Sequence, residues 1–200
     1  MKETGLMFKA PLVRSILDGT KTQTRRVVKN QPFDRSWSTK GHKIGYMSGR
    51  AANGDEVDGL IAYSESSGGE WHAKCPMGQP GDRIYVRETF APFERNCCYR
   101  ADGDHADLRP WKPAIHMPKA LARIWLDITG VRLERLQDIS EADCRAEGAH
   151  GGHGSIPGYA YSATPLEHFQ HIWTSTGGDW AANPWCWVID FKRDQAQKGL

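Results

Sequence analysis

The chain has 200 residues, 39% of them hydrophobic and 25% charged, with 21 Gly, 11 Pro and a mean hydropathy of -0.61. That length suits one domain with a substantial core, and no apolar run approaches the about 20 residues a membrane-crossing helix needs. The N-terminus lacks the apolar stretch of a signal peptide, and five cysteines at irregular spacing do not read as a disulfide framework, so a reduced, cytoplasmic protein with no membrane partner is expected.

The formal net charge of +2 is unevenly spread. Residues 1 to 50 hold eleven Lys or Arg against three Asp or Glu, an excess of +8 that leaves -6 for the remainder. A basic segment of this kind fits a phosphate-bearing or polyanionic partner, because clustered cations raise the local concentration of anions. A solvated basic face with no partner fits the charge equally well.

In chain order, residues 6 to 10 read as a first strand. Pro11, Leu12, Val13, Ile16 and Leu17 then form a short helix that stops at Gly19. The next segment, Thr20-Lys21-Thr22-Gln23-Thr24-Arg25-Arg26, is polar and cationic and reads as a strand over 22 to 28. A helix stop followed by such a strand turns several chemically active side chains toward one place. In an unbroken strand Lys21 and Thr24 would face opposite ways, so a shared site requires the strand to begin after Lys21.

Residues 34 to 74 lose their pattern, with seven glycines among polar residues, and read as an inserted hairpin or mobile flap in which 57 to 63 can still pair as a strand. From Gly81-Asp82, alternation puts Ile84, Val86 and Glu88 on one face of a strand and Arg83, Tyr85 and Arg87 on the other. Glu88 then shares an apolar face and needs a cation, expected from the first polar strand, either to bind a ligand or to close the sheet. The proline-rich Trp111 to Pro118 stretch offers Trp111 to stack on a base and His116 to hydrogen-bond it, with a core tryptophan and a backbone-bound histidine as the alternatives.

Residues 122 to 133 read as a strand or strand pair with a bulge at Gly130. Ser140 caps a short helix that Gly148 ends, leaving Glu147 at the negative end of the helix dipole, where it calls for a cation. After a glycine-rich loop, Leu166, Phe169, Ile172 and Trp173 mark one stripe of a last helix, with His168 and His171 solvated on its flank. The final strand carries Trp185, Trp187, Ile189 and Phe191 on one face, and 194 to 200 read as a polar tail. A zinc site from Cys75, Cys97, Cys98 and His105 lacks knuckle spacing, so no metal and no cofactor is expected. The pattern predicts an α+β, mainly β domain over 1 to 193, a largely antiparallel barrel flanked by two or three helices.

Several of these motifs together resemble a known family. Gly19-x-Lys21-x-x-Thr24-x-Arg26 after a helix, Gly81-Asp82 opening an inner strand, and the closing Trp187-Val188-Ile189-Asp190-Phe191-Lys192 are similar to the ASCH domain of the PUA-like superfamily. Phe8-Lys9-Ala10-Pro11, Lys21 to Arg26, Val86-Arg87-Glu88, Ile115-His116-Met117-Pro118 and Asn183-Pro184-Trp185 resemble its phage and prophage branch. The resemblance covers most of the chain outside 34 to 74. It implies a pseudobarrel, an association with RNA, and ligand contacts at Lys21 and Arg26.

Many ASCH proteins carry glutamate where this chain has Thr24, whereas the small bacterial N4-acetylcytidine amidohydrolases also have threonine there. The resemblance to that branch implies a catalytic group of Lys21, Thr24 and Glu147, with Thr24 as nucleophile and Lys21 as base. Three readings therefore stand. One is a binder of RNA, DNA or a modified nucleoside, in which Lys21, Arg25 and Arg26 hold phosphates, Tyr85 or Trp111 stacks, and Glu88 and His116 assist. The second is a hydrolase of an N4-acetylcytidine-like base; the third is a phage accessory or structural protein. The oligomeric state is open.

Overall fold

A computed structural model describes residues 1–31, 43–50, 56–66, 69–93, 96–103 and 110–194. Strand β1 (Glu3–Met7) leads into helix α1 (Ala10–Leu17) and strand β2 (Gln23–Val27). Pro11 sits in the first turn of α1, Val13 and Ile16 point inward, and Gly19 leaves the helix at φ 82°, a conformation glycine adopts without strain. β1 ends at Met7, short of the expected residue 10, because Phe8 turns into the core and Lys9 caps α1.

The next strands, β3 (Lys43–Arg50), β4 (Glu56–Ser66) and β5 (Gly69–Lys74), form an antiparallel meander. The stretch expected to pair at 57 to 63 lies within β4; Ile61, Ala62, Ala73 and Cys75 are buried, and Ala62, Ala73 and Cys75 belong to the main core, while residues 34 to 42 lie outside the described residues. Small side chains at those positions let the meander pack closely, which a hydropathy pattern diluted by glycine conceals.

β6 (Arg83–Arg87), β7 (Phe90–Phe93) and β8 (Asn96–Tyr99) follow, then β9 (Trp125–Arg135), helices α2 (Glu141–Ala146) and α3 (Pro165–Ser175), and β10 (Trp185–Arg193). Ser140 accepts a bond from the Asp143 amide to start α2, and Thr164 with Glu167 forms a reciprocal capping box on α3. The architecture is α+β and mainly β. A five-stranded sheet runs β1-β6-β9-β10-β2, with β1 and β6 parallel and the other neighbours antiparallel.

Residues 125 to 135 are one strand, not a strand pair. Its ladder with β10 slips where Asp190 faces Gly130 and Phe191 faces Ile128, so Thr129 is the extra residue of a bulge. β10 is buried on both faces, Cys186 and Val188 included, because α2 and α3 cover the side opposite the main core. Leu136, Cys144, Phe169 and Cys186 form a second small core there. Asp194, expected in a free tail, pairs with Arg83; residues 195 to 200 lie outside the described residues.

Sequence neighbours β1 and β2 are the two outer strands of the sheet, and no backbone ladder joins them among the described residues. α1 spans that gap, so the junction after Gly19 lies where the sheet's two edges approach each other. On the outer face, Tyr85 lies flat over Gly5, and a Cβ on Gly5 would stand 2.6 Å from its ring. Gly5→Ala is therefore expected to destabilise the fold by about 1–3 kcal/mol, read as a lower urea midpoint at unchanged slope.

Candidate functional site at the helix to strand junction

The loop between α1 and β2 is tied down on three sides. The Lys21 amide donates to Ser15 O at 2.8 Å, the Thr22 amide to Ala146 O at 2.8 Å, and the Phe191 amide to Thr22 O at 2.9 Å. The first bond holds the loop to α1, the second to the end of α2, and the third to β10. β2 starts only at Gln23, so Lys21 lies outside the strand and its side chain is free of strand alternation.

Lys21 is 2% exposed, and its ammonium donates to Gln23 O at 2.7 Å, Glu147 O at 2.8 Å and Glu147 Oε2 at 2.6 Å. All three of its protons are engaged. Burial pushes Lys21 below its ordinary pKa, the Glu147 carboxylate opposes that, and the charges of Arg26 and Arg25 reinforce it. Glu147 is the C-cap of α2, and Gly148 follows at φ 88°, turning the chain so that the carboxylate folds back on the junction. The cation that the helix dipole demanded at Glu147 is therefore Lys21, shared with Arg25 at 3.3 Å.

Gln23 and Arg25 face α2 and α3. Arg25 is 2% exposed and bonds Glu134 at 2.9 Å, with Asp143 at 3.5 Å and Gln23 Oε1 also against its guanidinium. Arg132 extends the cluster to Glu134, Asp190 and Asp143 at 2.6 to 2.9 Å. Gln23 binds Asp143 and Asp190 in turn. The phosphate contact expected of Arg25 is thus corrected: carboxylates inside the protein occupy its guanidinium. Gln23, Arg132, Glu134, Asp143 and Asp190 were missed, although the alternation of Arg132 and Glu134 with Val131 and Leu133 was a visible signal of a polar face.

Thr24 and Arg26 occupy the opposite face of β2, toward the main core. Thr24 is 2% exposed, and Arg26 is half-buried with its guanidinium 5.2 Å from the Phe8 ring centre. The Lys21 ammonium lies 6.0 Å from the same ring. Lys21 and Arg26 therefore both approach Phe8, and Thr24 shares the Arg26 face of β2. Arg26 Nη2 also donates to Met7 O at 2.9 Å. Burial lowers the Arg26 pKa, and Glu147 opposes the shift.

Glu88 is buried, but its partner is Arg123, at 2.9 and 3.1 Å, and not a cation of the first polar strand. The correction follows from topology, since β6 and β2 are separated in the sheet by β9 and β10. Burial raises the Glu88 pKa against the pull of Arg123. Trp111 stands beside Arg100 at 5.9 Å with its indole nitrogen buried and unbonded, and Tyr85 packs on Trp125 at 5.7 Å. His116 is exposed. His168, expected in solvent, is half-buried and accepts a bond from the Gly151 amide at 3.3 Å.

All five cysteines are free thiols, and among the described residues no group of His, Cys, Asp or Glu is arranged to hold a metal. His105 lies outside the described residues. Burial raises Cys144 to about 11 and Cys186 to about 12, so both are protonated packing groups at neutral pH. No helix among the described residues is long and apolar enough to cross a membrane. No protein-family model matches the chain, and no curated protein or solved structure is significantly similar to it.

Removing one partner of a buried pair strands the other charge. Lys21→Met is expected to cost about 3–5 kcal/mol in chemical denaturation, and Lys21→Met with Glu147→Leu less than the sum of the single changes. Burial by itself raises Asp143, but the bonds from Gln23 and Ser140 and the charges of Arg132 and Arg25 outweigh it and bring the group down to about 2. A depressed carboxylate stabilises above its unfolded value of about 3.9 and loses that contribution as pH falls toward 2. Melting temperature should therefore fall between pH 4 and 2 more steeply in the native chain than in Asp143→Asn.

Proposed function

We propose that the chain is a PUA-like domain of the ASCH type that binds a nucleobase, in RNA, in DNA or as a modified nucleoside, at the junction of α1 and β2. The observation that carries this reading is the buried Lys21–Glu147 pair, 2.6 Å apart across 126 residues of sequence. Replacing such a pair by apolar side chains is often neutral or stabilising, so its presence beside a half-buried arginine calls for a role other than stability. Ionisable groups perturbed by burial and a specific charge partner are candidates for function. The pseudobarrel is supported by the approach of β1 to β2, whose edges are linked by the Arg26 bond to Met7 O.

A second reading, hydrolysis of an N4-acylated cytidine, is favoured by one observation: Lys21 precedes β2, so its buried ammonium is free of strand alternation, and Thr24 is buried three residues later on the core-facing side of that strand. In this reaction the Lys21 ammonium first passes a proton to Glu147 Oε2, 2.6 Å away, and the freed amine takes the Thr24 proton as its oxygen attacks the amide carbonyl. Collapse of the tetrahedral adduct breaks the C–N bond, and the proton leaves with the N4 amine. Water then cleaves the threonyl ester to release the acid and restore Thr24. Glu147 orients the lysine.

Calorimetric titration of the protein with cytidine, uridine and N4-acetylcytidine tests the binding reading. At least one should bind, and Glu147→Gln should weaken it tenfold or more without loss of the native circular-dichroism spectrum. Failure of every nucleoside, and of short RNA and DNA, to bind would overturn it. For the second reading, acetate should appear from N4-acetylcytidine and fall at least a hundredfold in Thr24→Ala; equal release by that variant removes Thr24 as nucleophile.

A further inference from the structure

With Arg25 enclosed by carboxylates, the cations that can meet a phosphate must be sought elsewhere around the junction. Arg26 reaches across the gap between the outer strands and bonds Met7 O. Met7 is the register partner of Arg87 in the parallel β1–β6 ladder, so their side chains stand side by side on the outer face, about 4.8 Å apart along the backbone. Arg87 in turn donates to Met117 O at 3.0 Å and to Ile115 O, which draws the 115–117 turn against the same edge. Arg26, which reaches the β1 edge from the core-facing side of β2, thus meets Met7 at its carbonyl, and Met7, Arg87 and the 115–117 turn follow along the outer face from there.

The charges on this surface are unbalanced. Neither Arg26 nor Arg87 forms an ion pair with a carboxylate among the described residues, whereas Arg25, Arg83, Arg123, Arg132 and Arg145 all do. Glu88, next in sequence to Arg87, points into the core and is held by Arg123, and Glu147 acts on Arg26 only from a distance. Each guanidinium has spent its bonds on main-chain carbonyls, one for Arg26 and two for Arg87, out of five N–H donors. Carbonyl contacts orient a guanidinium without neutralising it. Around the two arginines the apolar surface is open, with Met7 47% and Ile115 58% exposed and His116 exposed between Ile115 and Met117. Tyr85, two residues before Arg87, presents an aromatic ring on the same face.

We infer that this surface binds the sugar–phosphate backbone of a single-stranded nucleic acid, with Arg26 and Arg87 each contacting a phosphodiester. Fixed, unneutralised guanidiniums match the bidentate geometry of phosphate oxygens, and a neighbouring aromatic ring with exposed aliphatic side chains suits unstacked bases. The inference rests on the reading of the junction as a nucleobase site and extends it. A base entering beside Lys21 and Glu147 leaves its own backbone on this edge, where Arg26 belongs to both. Arg87 takes the place that the sequence had assigned to Arg25.

The test is the salt dependence of binding to eight-nucleotide oligo(U) and oligo(dT). Each lost phosphate contact lowers the slope of log K against log salt by about 0.7 for single strands. Arg87→Gln and Arg26→Gln should each reduce the slope by about 0.7, and Arg14→Gln, at an exposed position of α1 whose guanidinium bonds Ala101 O, should leave it unchanged. Because Arg87 also holds the 115–117 turn, Arg87→Lys serves as a second variant: it keeps a point charge and should retain the slope. An unchanged slope in Arg87→Gln, an equal loss in Arg87→Lys, or oligonucleotide binding indifferent to salt would overturn the inference. Nucleosides that bind while oligonucleotides bind no tighter would overturn it and leave the nucleobase reading standing. Oligonucleotides that bind with the expected slopes while Glu147→Gln changes nothing would support the phosphate surface and refute the role of the ion pair.

Discussion

An ammonium group taken out of water must find its hydrogen bonds and its counter-charge within the protein, and Lys21 imposes that demand on everything around it. Two carbonyls and one carboxylate meet it, drawn from β2 and from the end of α2. The turn at Gly148 exists in a form that brings Glu147 back, the Thr22 amide clasps Ala146 O, and α2 is thereby fastened to the first fifty residues of the chain. Such a pair adds little net stability over apolar packing, and it links β2 to α2 while the Lys21 amide bond to Ser15 O links the same residue to α1.

The same constraint divides β2 into two chemical faces. Gln23 and Arg25 look toward Arg132, Glu134, Asp143 and Asp190, an interior network in which every carboxylate has a cationic partner. Thr24 and Arg26 look toward Phe8 and the gap between the outer strands. Strand alternation alone accounts for the division, but its meaning comes from sheet order. β2 lies at one edge and β1 at the other, so the Phe8 side adjoins a seam with no ladder across it. The network on the other face packs against α2 and α3, with Arg132 and Asp190 at its solvent-reaching end.

Much of the local structure was legible in the residues. Pro11 and Gly19 bracketed α1, Ser140 marked the start of α2, and alternation from Arg83 to Glu88 assigned both faces of β6 correctly. Of β3 to β5 only the 57 to 63 part was legible, because glycines dilute the pattern and buried Ala62 and Ala73 scarcely register as hydrophobic. Partners of buried charge were the harder matter. Glu88 announced its need for a cation, but Arg123 is 35 residues away and only the pairing of β6 with β9 brings it near.

The sequence by itself determined which short segments fold as helix or strand, since caps, turns and alternation act over a few residues. It also determined, through the bend at Gly19, that Lys21 escapes the alternation of β2. Only the tertiary structure decided that Glu147 and not Glu88 answers Lys21, that Arg25 belongs to the interior, and that Arg87 stands beside Arg26 at the seam. Coulomb and hydrogen-bond energies depend on distance in space, and sheet order, which joins residues 7 and 87 while parting Glu88 on β6's end from β2 by two strands, sets those distances.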